Sequence, residues 1–459
     1  MNFAKDYKRN VASSGALPQS APRQVRLRNI FEEVSAMQIA VYGSGYLGSI
    51  ISACISDFGL PATCFDENTS RIREVAQGRI PFFEKNIEEV IRRNVRAGRL
   101  LYSTDVASTV QRANVVYLAE DDAQTIEGLA LKIGQLAKPN TVLVISSPVP
   151  VGTAGRIQET LIKMGMGALP VVSQPLFFTS GCAIEDFNWP DRILLGTSSN
   201  EAVLTLKQLY RPLVMRGVPV IVTNHETAEL VREASTAFVA TKIAFINEIA
   251  ALSEHVKADA VDLALALGLD KKIGPRCLQP GAGFGGPFVE LEMDALSQLA
   301  SNKGVQLRIL GAAREVNKSL PEQLVTKISS LLDSLAGKEL GILGLAFKPN
   351  TNSVAGSASL TLARDLISRG AMVRAYDPVA ANAASSAVIG LRCCDSAYAT
   401  AEGADALVVG TGWPEFRALD WTKIKRLLKR PIIVDSKNLL DSHRLRSMGF
   451  QYVGIGRAS

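Results

Sequence analysis

The sequence predicts an α/β protein made of two doubly wound domains joined by a central helical section, and two changes of rhythm carry that prediction. Short continuous apolar runs at 38–42, 62–65, 115–119, 141–146, 171–173, 193–196 and 218–222 alternate with helical patterns. Strands of a parallel sheet covered on both faces alternate in this way. After residue 222, Val231, Ala234, Phe238, Phe245, Ile249 and Leu252 recur at three, four and seven residues, an apolar stripe on one long helix that must be buried or meet a partner. Helical patterns at 258–267 and 293–301 complete an all-helical middle. From Lys338 the alternation returns, with strands at 340–343, 372–376, 406–410 and 432–434 and a helix at 359–369. The chain divides into a flexible leader at 1–36, a first α/β domain at 37–224, a helical section at 225–320 and a second α/β domain at 321–459. Met37, one residue before the first strand, is as good a start as Met1.

Composition narrows the class. A chain of 459 residues with 47% hydrophobic and 20% charged side chains can bury a large core, which excludes collagen, long disorder and a fibrous coiled coil. Its 50 basic and 44 acidic side chains leave a net charge of +6, too diffuse to point to nucleic acid or an anionic membrane. Half of that excess lies in residues 1–36, with six Lys/Arg and three Asp/Glu. No run approaches the roughly 18 apolar residues of a membrane span, and no apolar stretch follows the basic N-terminus. Six cysteines without a C-x-x-C pair and three distant histidines argue against a disulfide framework or a metal site, so a reducing, cytoplasmic setting is expected.

The motif with the clearest mechanics is Gly43-Ser44-Gly45-Tyr46-Leu47-Gly48, directly after the first strand and opening a helix. There the first glycine makes the turn, the second lets backbone approach a pyrophosphate, and the third lets helix and strand pack. Asp66, 18 positions after Gly48 at the end of the next strand, is placed to accept hydrogen bonds from an adenosine ribose. This is a Rossmann-like dinucleotide site. Asp66 would repel a 2′-phosphate, favouring NAD over NADP, while Arg71 and Arg73 pull the other way. A second glycine cluster, Gly281-Ala282-Gly283-Phe284-Gly285-Gly286-Pro287, marks a loop where backbone can approach a ligand or another segment.

At this point the chain resembles the UDP-glucose/GDP-mannose dehydrogenase family from Met37 to Arg457. The landmarks are the Gly43 motif, Ile80-Pro81 with Glu84, Val149-Pro150-Val151-Gly152, Pro190-Asp191-Arg192, residues 240–250, the Gly281 loop, Gly344-Leu345-Ala346-Phe347-Lys348-Pro349-Asn350-Thr351 and Tyr376-Asp377-Pro378. The resemblance implies an NAD domain, a helical dimerisation core and a C-terminal nucleotide-sugar domain, hence a homodimer with a nucleotide-sugar ligand. It assigns cofactor contacts to Gly43, Gly45, Tyr46, Leu47, Gly48, Asp66 and Arg71. It assigns sugar-nucleotide contacts to Arg232, Lys272, Phe284, Gly285 and Lys348. Lys272 stands where many members place an Arg that reaches the neighbouring subunit.

The family oxidises a primary alcohol to a carboxylate through a thiohemiacetal and a thioester on a Cys, which needs a nucleophile, oxyanion donors and a carboxylate that directs water. This chain departs from the pattern at those positions. Gly-Gly-Ser-Cys-Phe-Pro-Lys-Asp reads Gly285-Gly286-Pro287-Phe288-Val289-Glu290-Leu291-Glu292, with Phe288 in place of the nucleophile. The family's Lys and Asn on the long helix are Arg232 and Thr236; the Glu of Asn-Pro-Glu is Leu176, after Gln174-Pro175; the Thr before Val-Pro-Val-Gly is Pro148. Gly-Thr-Pro after the fourth strand reads Ala119-Glu120-Asp121-Asp122, three acids that repel a pyrophosphate unless they turn to solvent. Asp-Asp-x-Arg reads Asn352-Ser353-Val354-Ala355, and Cys277 is a thiol 11 positions upstream of Phe288. Two functions fit: an NAD-dependent enzyme running a two-electron or redox-neutral reaction on a nucleotide sugar, and a noncatalytic subunit or sensor.

Overall fold

A computed structural model of the chain describes residues 37–457; the leader read at 1–36 lies outside the described residues. The first sheet has eight strands: β1 (Ile39–Tyr42), β2 (Ala62–Phe65), β3 (Leu100–Ser103), β4 (Val115–Leu118), β5 (Val142–Ile145), β6 (Val171–Ser173), β7 (Ile193–Gly196) and β8 (Val220–Thr223). Their order is β3-β2-β1-β4-β5-β6-β7-β8. Alternate residues of β1 face opposite layers: Ile39 and Val41 pack with Ile50 and Ile51 of the helix Tyr46–Asp57, and Ala40 and Tyr42 with Ala130, Ile133 and Ile157. Burial on both faces is why these strands read as unbroken apolar runs.

The sheet is not parallel throughout. β7 meets β6 antiparallel at Ser173 and Gly196, and β8 follows β7 in the same reversed sense. The link 174–192 carries only the six-residue helix Ala183–Asn188, which does not return the chain to its starting edge as a parallel crossover must. The second sheet comprises β9 (Glu339–Leu343), β10 (Met372–Tyr376), β11 (Arg392–Cys393), β12 (Ala406–Val409), β13 (Ile432–Asp435) and β14 (Gln451–Gly454), in the order β11-β10-β9-β12-β13-β14. All its pairs are parallel.

Between the sheets runs the helix His225–Val256, 32 residues long and capped by Asn224, whose side chain accepts from Thr227 N. It packs against the helices Val289–Asn302 and Arg308–Leu332. The latter runs through the boundary read at 320, and its Leu324, Val325, Ile328 and Leu332 belong to the second domain's core. By length and composition the long helix could cross a membrane, which the sequence reading did not anticipate. Glu229, Glu233 and Asn247 are nonetheless buried along it. Its expected stripe lies open in the single chain, with Phe238, Phe245 and Leu252 exposed.

The Gly281 loop approaches other segments of the chain. Gly281 N donates to Asn247 Oδ1 at 2.9 Å, and a Cβ on Gly285 would fall 2.0 Å from the carbonyl oxygen of Gly356. The helical section and the second domain therefore touch backbone to backbone. Gly285→Ala should separate them and cost about 3 kcal/mol, the upper range for overpacking, read as a lower urea midpoint.

Candidate functional site

β1 ends at Tyr42, and the chain turns through Gly43, at φ +107°, into the helix Tyr46–Asp57. A Cβ on Gly48 would lie 1.8 Å from Gly43 O, so strand–helix packing alone demands that glycine. Leu47 is in the core. Tyr46 is anchored by its hydroxyl, which donates to Glu84 Oε2 at 2.8 Å. Glu84 in turn accepts from Gly181 N at 2.6 Å and Ala183 N at 2.9 Å, and burial raises its carboxyl above the usual range. What Tyr46 and Leu47 offer a ligand is their backbone N–H groups.

Those amides are engaged. Asp121, just past β4, accepts from Tyr46 N at 3.0 Å through Oδ2 and from Leu47 N at 3.2 Å through Oδ1. A Cβ on Gly45 would stand 2.4 Å from Asp121 Oδ2. Of the three acids after β4, Asp121 and Asp122 are exposed, and Asp122 also accepts from Gln124 N. Glu120 is half-buried, its carboxyl pushed up by burial and by Asp66 and Asp121. Asp66 is buried; its Oδ2 accepts from Ser44 N at 3.0 Å and Ser44 Oγ at 2.6 Å, and its Oδ1 from Asn68 N at 2.8 Å. Arg71 stands 3.9 Å from Asp66.

On the long helix Arg232 and Thr236 sit one turn apart and meet Glu292 on the helix Val289–Asn302. Arg232 Nε donates to Glu292 Oε1 at 2.9 Å, its Nη2 lies 2.8 Å from the same oxygen, and Thr236 Oγ1 donates to Oε2. Phe288 caps the start of that helix, and Glu292 N donates to its carbonyl at 2.9 Å. Glu233, beside Arg232, escaped the sequence reading. It is 6% exposed and its Oε2 has no hydrogen-bond partner. Burial, and then the charge of Glu292, push its carboxyl up to about 7. One turn earlier Glu229 accepts from Gly152 N at 2.5 Å and Ala154 N at 2.9 Å; burial raises it to about 7 against the pull of those amides.

Leu176 packs against the first domain's core. Gln174 Nε2 donates to Tyr210 OH at 2.8 Å, and that hydroxyl lies 3.0 Å from Tyr117 OH. Pro148 is half-buried beyond β5. Lys348 borders a cleft of about 280 Å³ with Gly281, Phe347, Arg417 and Lys437. Burial lowers Lys348 against the opposing pull of Cys182 and Glu84, and lowers Lys437 to about 8. The Phe284 ring is in the helical core and its backbone bonds Asn317, so it offers no side chain to a ligand. Gly285 meets Gly356, while Lys272 and Cys277 are exposed. Asp377 is structural: its carboxylate accepts from Leu345 N, Ala346 N and Trp413 Nε1.

Comparison with known proteins assigns the chain. Residues 37–214 match the NAD binding domain of the UDP-glucose/GDP-mannose dehydrogenase family, 226–319 its central domain and 341–442 its UDP binding domain. The chain belongs to this family. It is 36% identical over 433 residues to the UDP-glucose 6-dehydrogenase TuaD of Bacillus subtilis, covering 92% of this chain and 93% of that one. Identity to the UDP-glucose 6-dehydrogenase of Rhizobium meliloti is 35% over 435 residues, 92% of this chain and all of the relative. Among solved structures, a UDP-glucose dehydrogenase from Pyrobaculum islandicum superposes with a TM-score of 0.82 at 28% identity, over 97% of this chain and 100% of that one. The chain shares that fold, two Rossmann-like domains about a helical section, with the first sheet parallel from β1 to β6.

The family is one of NAD-dependent nucleotide-sugar oxidoreductases, and its cofactor is NAD. The glycine turn and Asp66 suit that dinucleotide. The segment after β4 does not, because Asp121 stands on the two amides that a pyrophosphate takes at such a helix start. As the Asp121 side chain lies, its carboxylate occupies both amides.

Glu229 and Glu233 give the protein a pH dependence whose sign is fixed. Both carboxyls are raised in the folded state, from 4.5 to about 7. Each therefore favours folding below about pH 4.5 and loses that contribution as pH climbs to 7. Glu233→Gln should be more stable than the parent at pH 8 by on the order of 3 kcal/mol, and the difference should close by pH 4.5. Thermal midpoints at the two pH values check it.

Proposed function

We propose that this family member takes a nucleotide sugar through at most one two-electron oxidation, or a redox-neutral oxidation and reduction, and does not form the carboxylate. The observation that carries this reading is Phe288 at the helix start one turn from Glu292. Four-electron oxidation requires the intermediate aldehyde to be captured as a tetrahedral adduct, and Phe288 has no lone pair with which to attack it. Hydration by water would need a carboxylate to direct it, and Leu176 is hydrocarbon. Pro148 supplies no proton. Arg232, with a pKa above about 12, accepts none, and Glu292 is occupied by Arg232 and Thr236.

Glu233 is the group in this cluster poised to exchange a proton near neutrality, and a single alcohol oxidation asks for one such group. The cleft between Gly281, Lys348, Arg417 and Lys437 is the place for the nucleotide diphosphate. A noncatalytic, ligand-sensing subunit is the second reading, favoured by the Arg232–Glu292 pair, which neutralises the charge that would meet the sugar. The relatives' names make UDP-glucose the first sugar to try.

Purified protein with NAD and a panel of nucleotide sugars, followed by NADH absorbance and product mass together, tests the reading. The expected result is fewer than two NADH per UDP-glucose, with an aldehyde or an epimer as product. Binding without any product supports the sensor. Two NADH per sugar above about 1 s⁻¹, the low end of ordinary turnover, overturns both. Phe288→Cys alone should not restore carboxylate formation, since nucleophile and supports act as a unit.

A homodimer across the long helix is expected, because Phe238 at 66% exposure and Leu252 at 56% leave an apolar stripe uncovered and a symmetric pair can bury the same patch on both chains. Sedimentation at micromolar concentration should give a dimer, and Phe238→Glu should give monomer.

A further inference from the structure

We propose that Asp121 is a built-in competitor for the dinucleotide: its carboxylate occupies the pyrophosphate position on the helix Tyr46–Asp57, so NAD enters only by displacing it. The inference rests on the reading that residues 37–214 bind NAD.

Three observations converge. First, each Asp121 oxygen takes one backbone amide, Oδ2 from Tyr46 at 3.0 Å and Oδ1 from Leu47 at 3.2 Å. This is the two-donor hold a helix start offers a phosphate group, and a charged acceptor makes such bonds strong. Second, the space that the missing side chain of Gly45 leaves for a close-approaching ligand is filled by that same carboxylate, 2.4 Å from where a Cβ would be. Third, the segment is tied down on either side of the acid. Ala119 N donates to Tyr42 O at 2.9 Å, and Ala123–Thr125 form a short helical turn. Asp121 can therefore leave by swinging its side chain while the loop stays in place.

The surrounding charge makes the displacement costly. Asp66 and Glu120 face the same cradle, Asp122 lies beside it, and Arg71 is the cation the structure sets among them. A carboxylate and a pyrophosphate cannot share the two amides, and the displaced acid remains close enough to repel the incoming anion. When the competent state is a minor one, apparent affinity falls by the fraction of molecules in that state. Removing the carboxylate returns that fraction.

The test compares the parent with Asp121→Ala and Asp121→Asn, using calorimetry with NAD, ADP-ribose and adenosine and recording the ligand-free thermal midpoint. NAD and ADP-ribose, which carry the pyrophosphate, should bind at least tenfold tighter to Asp121→Ala, with Asp121→Asn between the two. Adenosine, which has no phosphate, should change less than twofold. The ligand-free midpoint should fall, because the helix loses its cap. Loss of a merely structural residue would lower stability and affinity together; loss of the competitor lowers the first and raises the second. Unchanged or weaker NAD binding in both variants, an equal gain for adenosine, or no NAD binding by any of the three proteins would overturn the proposal. The reading of a curtailed oxidation fails on a separate observable, two NADH per sugar, so the two failures are distinguishable.

Discussion

The structure hangs on one helix. His225–Val256, about 48 Å long at 1.5 Å per residue, carries a polar side chain at each level where another part of the protein must be held. Glu229 fixes the amides of Gly152 and Ala154, Arg232 and Thr236 hold Glu292, Asn247 receives Gly281 N, and Glu254 receives Gly456 N. The first sheet, the helical section and the second sheet are thus registered against a single rigid rod. Phe288 and Glu292 lie where they do because the rod fixes the helix that bears them.

A second theme is the use of the chain's own carboxylates wherever backbone donors would otherwise stand open. Asp121, Glu229, Glu84 and Asp377 each accept from two or more backbone amides close together in sequence. An acid at a helix start is stabilised by the local dipole as well as by the bonds. All four contacts join elements distant in sequence and hold the fold. One of the four, Asp121, sits on the glycine turn, so on our proposal the same device that stabilises the free protein stands against its ligand.

The architecture was legible because its central strands are buried on both faces and its long helix has an apolar stripe, patterns set by periodicity alone. β3, with Leu101 exposed at the sheet edge, and β11, two residues long, lack that signature and went unread. So did β14, Gln-Tyr-Val-Gly, whose polar first residue and closing glycine leave only two apolar residues in a row. The reversed sense of β7 and β8 was illegible because strand direction depends on how a link returns, which no periodicity records. At the site, Gly43, Gly45, Gly48 and Asp66 were legible as a turn with a carboxylate at the correct distance. Glu233 was not, since a glutamate on a helix ordinarily faces water and its burial here follows from docking of the helix onto the first domain. The acids at 120–122 were recognised as discordant, but the direction of Asp121 depends on a side-chain torsion in a loop.

The reversed pair β7 and β8 brings the chain back to the level of Val171, where His225 Nε2 lies 3.0 Å from the Val171 carbonyl, before the helix rises past Arg192 at Ser235. Helical phase is therefore counted from that starting point, and each residue advances it by about 100°. A one-residue insertion between His225 and Glu229 would swing the Arg232 guanidinium a quarter-turn away from Glu292 and carry Glu229 off the amides it holds. The first two turns of the rod thus behave as a ruler of fixed length: a side chain there can be exchanged without moving its neighbours, whereas an insertion or deletion shifts every contact beyond it.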